Sequence, residues 1–226
     1  MNYYSIIIPV HNEKDYLPSL LKSLKYYSDR GHEVIIIDDG SIDGSSSILR
    51  DCETINLVSL LKNRGKGYAI KRGLEVVKNN KILIYDGDME IDPQNISKLM
   101  ILDETNNIKY VMGHRFESLS PFKSHFEWGN FMFTTFFNIL YQTNHKDVLC
   151  CAKAFYANTI KDINLKSNGF DIDTELTCFL TVKNKKSNIT QVLIDYKRRS
   201  VEEGKKLKVS DGWAILLRII KMTKFF

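Results

Sequence analysis

Two short apolar runs open the chain. Tyr4-Ser5-Ile6-Ile7-Ile8-Pro9-Val10 is β-branched and ends at His11-Asn12-Glu13, and Glu33-Val34-Ile35-Ile36-Ile37-Asp38 is continuously apolar up to its last residue. A strand with no polar alternation is covered on both faces, as in a parallel sheet. Between the two runs Leu17, Leu20, Leu21 and Leu24 fall at i, i+3, i+4 and i+7, the stripe of an amphipathic helix. The pattern repeats. Ile55 to Leu61 predicts a third strand, about Lys66 to Lys78 a helix carrying Ile70, Leu74 and Val77, and Lys81-Ile82-Leu83-Ile84-Tyr85-Asp86 a fourth strand. Strands alternating with helices predict right-handed βαβ units and a parallel sheet.

The pattern changes after residue 115. Phe126 to Tyr141 reads as an aromatic helix with apolar residues on more than one face. It suits either a buried core helix or one lying at a membrane interface. Leu180 to Val182 and Ile189 to Tyr196 read as a helix end and a late strand, and Trp213 to Met222 as a basic amphipathic helix. No repeat or linker interrupts the chain, so residues 1–226 are expected to form one domain. Its first half would be residues 1–115 and its second, with the basic C-terminal segment, residues 116–226.

Ligands of open α/β sheets bind beyond the carboxyl ends of the strands. Those ends here carry His11-Asn12-Glu13, Asp38-Asp39-Gly40, Asn63-Arg64-Gly65 and Asp86-Gly87-Asp88. Charge adds a partner class. The 226 residues carry a formal net charge of +5, yet residues 183–226 hold 12 Lys and Arg against 4 Asp and Glu. That surplus suits an anion: a phosphate, a nucleic acid or an acidic membrane surface. No recognition-helix pattern supports nucleic acid. The start lacks a secretory signal, no window approaches the length of a membrane span, and Cys52, Cys150, Cys151 and Cys178 form no C-x-x-C pair. The expectation is a cytoplasmic protein with reduced thiols and no structural zinc.

The strongest local chemistry is Asp86-Gly87-Asp88-Met89-Glu90. Carboxylates spaced two apart at a strand end repel one another unless a cation sits between them, and their oxygens suit Mg or Mn bridging a phosphate. Asp39, ending the second strand, could accept from a base N–H or ribose hydroxyl, and Asp43 could cap the next helix. Asn63-Arg64-Gly65-Lys66-Gly67 is a basic glycine loop opening a helix, a setting for phosphate. It is no dinucleotide fingerprint, because position 70 is Ile70 and the loop follows the third strand. With no G-x-x-x-x-G-K-[ST] loop either, NAD(P) and P-loop ATP chemistry are disfavoured.

Taken in order, Pro9 to Glu13, Asp38 to Ser45, Asn63 to Gly67, Asp86-Gly87-Asp88 and Gly113-His114-Arg115 resemble the family 2 glycosyltransferases. Asp147 to Phe155, Phe170 to Glu175, Tyr196 to Lys206 and Asp211-Gly212-Trp213 are similar to its dolichol-phosphate mannose synthase-like branch. The resemblance implies the GT-A (nucleotide-diphospho-sugar transferase) α/β fold, a mostly parallel central sheet flanked by helices. It implies that Pro9, Asn12, Glu13, Asp39, Arg64, Gly65, Lys66 and Asp86 hold the nucleotide. Asp86 and Asp88, with Glu90 as a third ligand, would hold a divalent cation, Mg or Mn. Arg115, Arg199, Lys205 and Lys206 would meet phosphate on the donor or acceptor. Three departures stand out: Gly87 where Ala is usual, Glu90 where Gln is usual, and Phe126-Glu127-Trp128 where the branch has a basic cluster.

The implied reaction is a single, inverting displacement at the anomeric carbon of a nucleotide sugar, with Asp88 and Arg115 in the catalytic set. A polyprenyl phosphate acceptor, dolichyl or undecaprenyl, is already anionic and needs no base. A hydroxyl of a surface glycan or lipid-linked oligosaccharide needs one, for which Asp173 and then Glu175 are candidates. Both are also acids at a helix start, where they favour the dipole. A lipid acceptor would require peripheral attachment to the cytoplasmic face of a membrane, through Phe126 to Tyr141 and the basic last helix. Remote alternatives are a sugar nucleotidyltransferase, which would need a glycine-rich loop in place of His11-Asn12-Glu13, and a non-catalytic partner of the same fold.

Overall fold

The computed structural model describes residues 2–117, 125–185, 187–200, 206 and 211–225. The chain runs β1 (Tyr4–Val10), α1 (Leu17–Ser28), β2 (Glu33–Asp38), α2 (Ser45–Arg50), β3 (Asn56–Ser59), α3 (Lys66–Leu74), β4 (Lys81–Ile84), α4 (Asn95–Leu99) and β5 (Ile108–His114). It continues through α5 (His125–Tyr141), β6 (Lys153–Tyr156), α6 (Ala157–Ile160), α7 (Ile172–Lys183), β7 (Asn188–Leu193) and α8 (Asp211–Met222). The seven strands form one sheet in the order β3-β2-β1-β4-β6-β5-β7. β1 pairs in parallel with β2 and β4, β2 with β3, and β5 with β7, while β6 is antiparallel to both neighbours. Every strand but β6 therefore points the same way, and their carboxyl ends line one edge.

The apolar runs of β1 and β2 are explained by cover on both faces. Ile6, Ile8 and Val10 pack with Leu17, Leu20 and Leu24 of α1, while Ile7, Ile35 and Ile37 pack with Ala69 and Ile70 of α3 and Leu176 and Leu180 of α7. Gly73 lets α3 approach closely: a Cβ there would lie 2.7 Å from Ile7 and 2.8 Å from Ile37. A third apolar cluster joins Phe137 and Tyr141 of α5, Cys178 of α7, and Ile215, Ile219 and Met222 of α8. The aromatic helix is thus divided. Phe137 and Tyr141 are buried and stacked at 4.3 Å, whereas Trp128, Phe131 and Ile139 are exposed.

Several boundaries differ from the sequence expectation. The third helix stops at Leu74 rather than Lys78, and Val77 reaches the core from the following loop. β3 is only four residues long, and β4 ends at Ile84, although Tyr85 N–H still donates to Ile7 at 3.0 Å. β7 ends at Leu193, with Tyr196 joined to Ile91 by an isolated bridge. β6 and the helices α2, α4 and α6 are only four to six residues long, too short to show a period. All four cysteines are free thiols, and three are buried.

Candidate active site

The loops at the strand ends are tied together by hydrogen bonds within the chain. After β1, Asn12 takes a left-handed φ of 51°. Its N–H donates to Ser41 Oγ at 2.9 Å, and its Oδ1 accepts from Ile42 N–H at 2.8 Å. Glu13 N–H donates to Ser45 Oγ at 2.9 Å. After β2, Asp38 Oδ1 accepts from Ser41 N–H at 3.0 Å, and Asp39 accepts from Arg64 and Gly65 N–H, each at 2.8 Å. Asp39 therefore shapes the Asn63–Gly67 loop. That loop lies against the segment before α7: Gly67 N–H donates to the Asn168 carbonyl at 2.8 Å, and a Cβ at Gly65 (φ 94°) would fall 2.4 Å from that oxygen. Pro9, within β1, is in register with Ile37, and its carbonyl faces Gly87. A Cβ at Gly87 would lie 2.7 Å from Val10 Cγ2 and 3.1 Å from Ile8 Cγ2, so the close packing of β1 accounts for glycine where alanine is usual.

Cations contributed from far along the chain neutralise the carboxylates. Lys66, the first residue of α3, places Nζ 2.7 Å from Asp86 Oδ1 and 2.8 Å from Asp173 Oδ2. Burial would lower this ammonium's pKa, but Asp173 and Asp86 outweigh it and hold it well above its ordinary value. Burial likewise would raise Asp86, yet the charge and hydrogen bond of Lys66 keep it below its ordinary value. Asp88 behaves oppositely. Burial first, then repulsion from Asp86 and Glu90, push it up to about 6.

Arg199 forms the second junction. Its guanidinium donates to both Glu13 oxygens at 2.7 and 3.2 Å, lies over the Tyr16 ring, and stands 3.6 Å from Asp88 Oδ2. Lys206 also donates to Glu13. Lys205 lies outside the described residues. Glu90 lies close enough to Asp88 to repel it, its Oε1 accepts from Arg199 N–H at 3.1 Å, and its carbonyl accepts from Lys197 N–H at 2.7 Å. Among the described residues no three His, Cys, Asp or Glu side chains converge on one point. The structure thus brings Asp86 and Asp88 to one edge, each facing a protein cation, and turns Glu90 toward the chain after β7. Two hard carboxylates, one of them pushed up to about 6 by burial and then by its acidic neighbours, fit a divalent ion.

Arg115 follows β5 and is gripped by Asp147, which is fully buried. Nε donates at 2.7 Å, Nη2 at 2.9 Å and the backbone N–H at 3.2 Å. The sequence assigns no role to Asp147, although it opens the Asp147 to Phe155 segment. The sequence assigns no role to Lys153 of the same Asp147 to Phe155 segment either. It is fully buried on β6 and donates to the Cys150 carbonyl, and its charge is among those that lower Asp86. A lone lysine among the apolar residues of a short strand was the available signal. Asp173 is buried, and its Oδ1 has no hydrogen-bond partner. Glu175 accepts from Lys166 and Ser167 N–H and from Arg218, so its carboxylate is committed to structure.

Solved structures share this architecture. Glucosyl-3-phosphoglycerate synthase from Mycobacterium tuberculosis superposes with a TM-score of 0.77 at 15% identity, over 98% of this chain and 80% of that one. Mannosyl-3-phosphoglycerate synthase from Rubrobacter xylanophilus does so with 0.77 at 15%, over 99% and 73%. The fold is GT-A. The family model for glycosyl transferase family 2 matches residues 5–162, and the chain belongs to that family.

Relatives include an undecaprenyl-phosphate 4-deoxy-4-formamido-L-arabinose transferase of Aeromonas hydrophila, 38% identical over 42% of this chain and 32% of its own length. The glycosyltransferase AglJ of Haloferax volcanii is 25% identical over 97% and 71%. A dolichyl-phosphate beta-glucosyltransferase of Dictyostelium discoideum is 32% identical over 50% and 40%. The matched segments span less than half the length of the first and third of these relatives.

Proposed function

We propose that this protein is a metal-dependent, inverting glycosyltransferase that moves a sugar from a nucleotide sugar to a polyprenyl phosphate. The observation that carries the reading is the pairing of Asp86 and Asp88 with Lys66 and Arg199 at the carboxyl edge of the sheet. Opposed charges at that edge fit a diphosphate that leaves with growing negative charge. Two of the relatives named above act on undecaprenyl or dolichyl phosphate. A fold neighbour has been crystallised with Mn2+ and UDP.

In this reading Asp86 and Asp88 would hold the divalent ion, Mg or Mn, which when bound offsets charge on the departing diphosphate. Asn12 and Asp39 set the walls for the nucleoside, beside Pro9 and Glu13. The Arg64-Gly65-Lys66 loop, fixed by Asp39, brings Lys66 to the phosphates. Arg115, held flat by Asp147, and Arg199, with Lys205 and Lys206, orient the phosphate of the acceptor. A lipid phosphate attacks without a base, because it is already ionised at neutral pH. A second reading, transfer to a glycan hydroxyl, rests on Asp173. Its Oδ2 is held by Lys66 while Oδ1 has no partner, so it could take a proton.

The acceptor reading also needs a membrane contact. No helix of the described residues is long and apolar enough to cross a bilayer. Trp128, Phe131 and Ile139 on α5 and Trp213, Leu217 and Ile220 on α8 are exposed, and α8 carries Lys221 in its last turn. These helices would lie on the cytoplasmic face of a membrane. The test is incubation with a panel of labelled nucleotide sugars and undecaprenyl or dolichyl phosphate, with and without Mg2+ or Mn2+. An acid-labile product extractable into organic solvent, formed only with divalent ion, is expected. Label transferred only to glycan hydroxyls would replace this reading with the second.

A further inference from the structure

The carboxylate that would hold a metal is already in contact with an ammonium. Lys66 Nζ sits 2.7 Å from Asp86 Oδ1, and Asp173 holds it from the other side at 2.8 Å. A dication cannot bind Asp86 at full strength with that charge in place, because the two cations repel across a short, poorly solvated gap. The Lys66 side chain is only 11% exposed, so little water screens them. Its backbone is fixed, since the loop is pinned to Asp39 and Asn168. Rotation about the four-carbon stem would carry the head away from Asp86 without moving that loop.

We propose that Lys66 is a built-in placeholder cation. It neutralises Asp86 and Asp173 in the ligand-free protein and leaves Asp86 only when a diphosphate gives it a new partner. Divalent ion and nucleoside diphosphate then bind cooperatively, each favouring the other by removing or rehousing the same ammonium. Neither needs to bind well alone. Such coupling is reciprocal and is ordinarily worth roughly 5–150-fold in affinity. The inference rests on the donor-site reading of Asp86 and Asp88, and its test separates the two.

Mn2+ binding to the full, metal-stripped chain would be followed by electron paramagnetic resonance, alone and with UDP or GDP. The wild type is expected to bind Mn2+ weakly alone and about tenfold or more tightly with a nucleoside diphosphate. Lys66→Gln should bind Mn2+ alone about tenfold more tightly than wild type and lose most of the coupling. Lys66→Arg, which keeps the charge, should resemble wild type. A folded Lys66→Gln protein that binds Mn2+ alone no more tightly than wild type overturns the placeholder while leaving the donor site standing. A wild type that takes up neither ligand in any combination overturns the donor site, and the placeholder with it.

A measurement on the wild type avoids any folding defect. In protein labelled with 15N at lysine Nζ, the Lys66 ammonium signal should move on adding Mg2+ with the diphosphate and stay in place with Mg2+ alone. A signal unmoved while both ligands are bound refutes the exchange.

Discussion

Asp88→Asn should stabilise the ligand-free protein while removing its ability to use a donor. Asp88 has its carboxyl pushed from an ordinary 3.8 up to about 6, first by burial and then by Asp86 and Glu90. A folded-state pKa above the unfolded one means the folded chain holds that proton more tightly. Stability is therefore lost as pH rises from about 4 through 6, and the full penalty is present above 6. At about 1.4 kcal/mol per tenfold change in proton affinity, the penalty is at most roughly 3 kcal/mol.

Asparagine carries no charge and can still accept the Glu90 N–H that Asp88 Oδ1 accepts at 3.0 Å. What it loses is the attraction to Arg199 at 3.6 Å, but that guanidinium keeps both Glu13 oxygens. The expected net gain at pH 7.5 is about 1–3 kcal/mol, a rise in Tm of roughly 2–12 °C for a domain of this size. Urea denaturation in EDTA at pH 4, 5, 6 and 7.5 would measure it. The variant's advantage should grow across the first three points and then level off. With Mn2+ and a nucleoside diphosphate present the order should reverse, because only the wild type gains from binding. An Asp88→Asn protein less stable than wild type at pH 7.5 in EDTA, or one whose advantage is the same at pH 4 and 7.5, would refute the reasoning.

Two further outcomes follow from the same charges and faces. Asp147→Ala strands the Arg115 guanidinium in a buried setting and should cost about 3–5 kcal/mol by chemical denaturation. Adding Arg115→Met to that variant should restore part of the loss, and strictly additive single costs would show that the pair is not coupled. The protein should pellet with anionic liposomes and be released by high salt. Equal recovery on neutral and anionic vesicles would remove the electrostatic part of that contact.

Much of the architecture was legible in the chain. The unbroken apolar runs of β1 and β2 could exist only with both faces covered, and the Leu17-Leu20-Leu21-Leu24 stripe fixed the first covering helix. Polar residues and glycines at four strand ends marked the binding edge, because a parallel sheet brings all those ends to one side. Local periodicity decides such features, since it depends on neighbours a few residues apart. What tertiary structure alone decided was the insertion of antiparallel β6 between β4 and β5, and the partner of each carboxylate. Lys66 meets Asp173 across 107 residues, and Arg199 meets Glu13 across 186. No period encodes these pairings. They arise because burial leaves each charge at the sheet edge in need of an opposite one, and only the packed chain determines which lies within reach. Glu90 makes the same point: its spacing set it beside Asp86 and Asp88, but only the packed chain brings Arg199 N–H, 109 residues on, to its carboxylate.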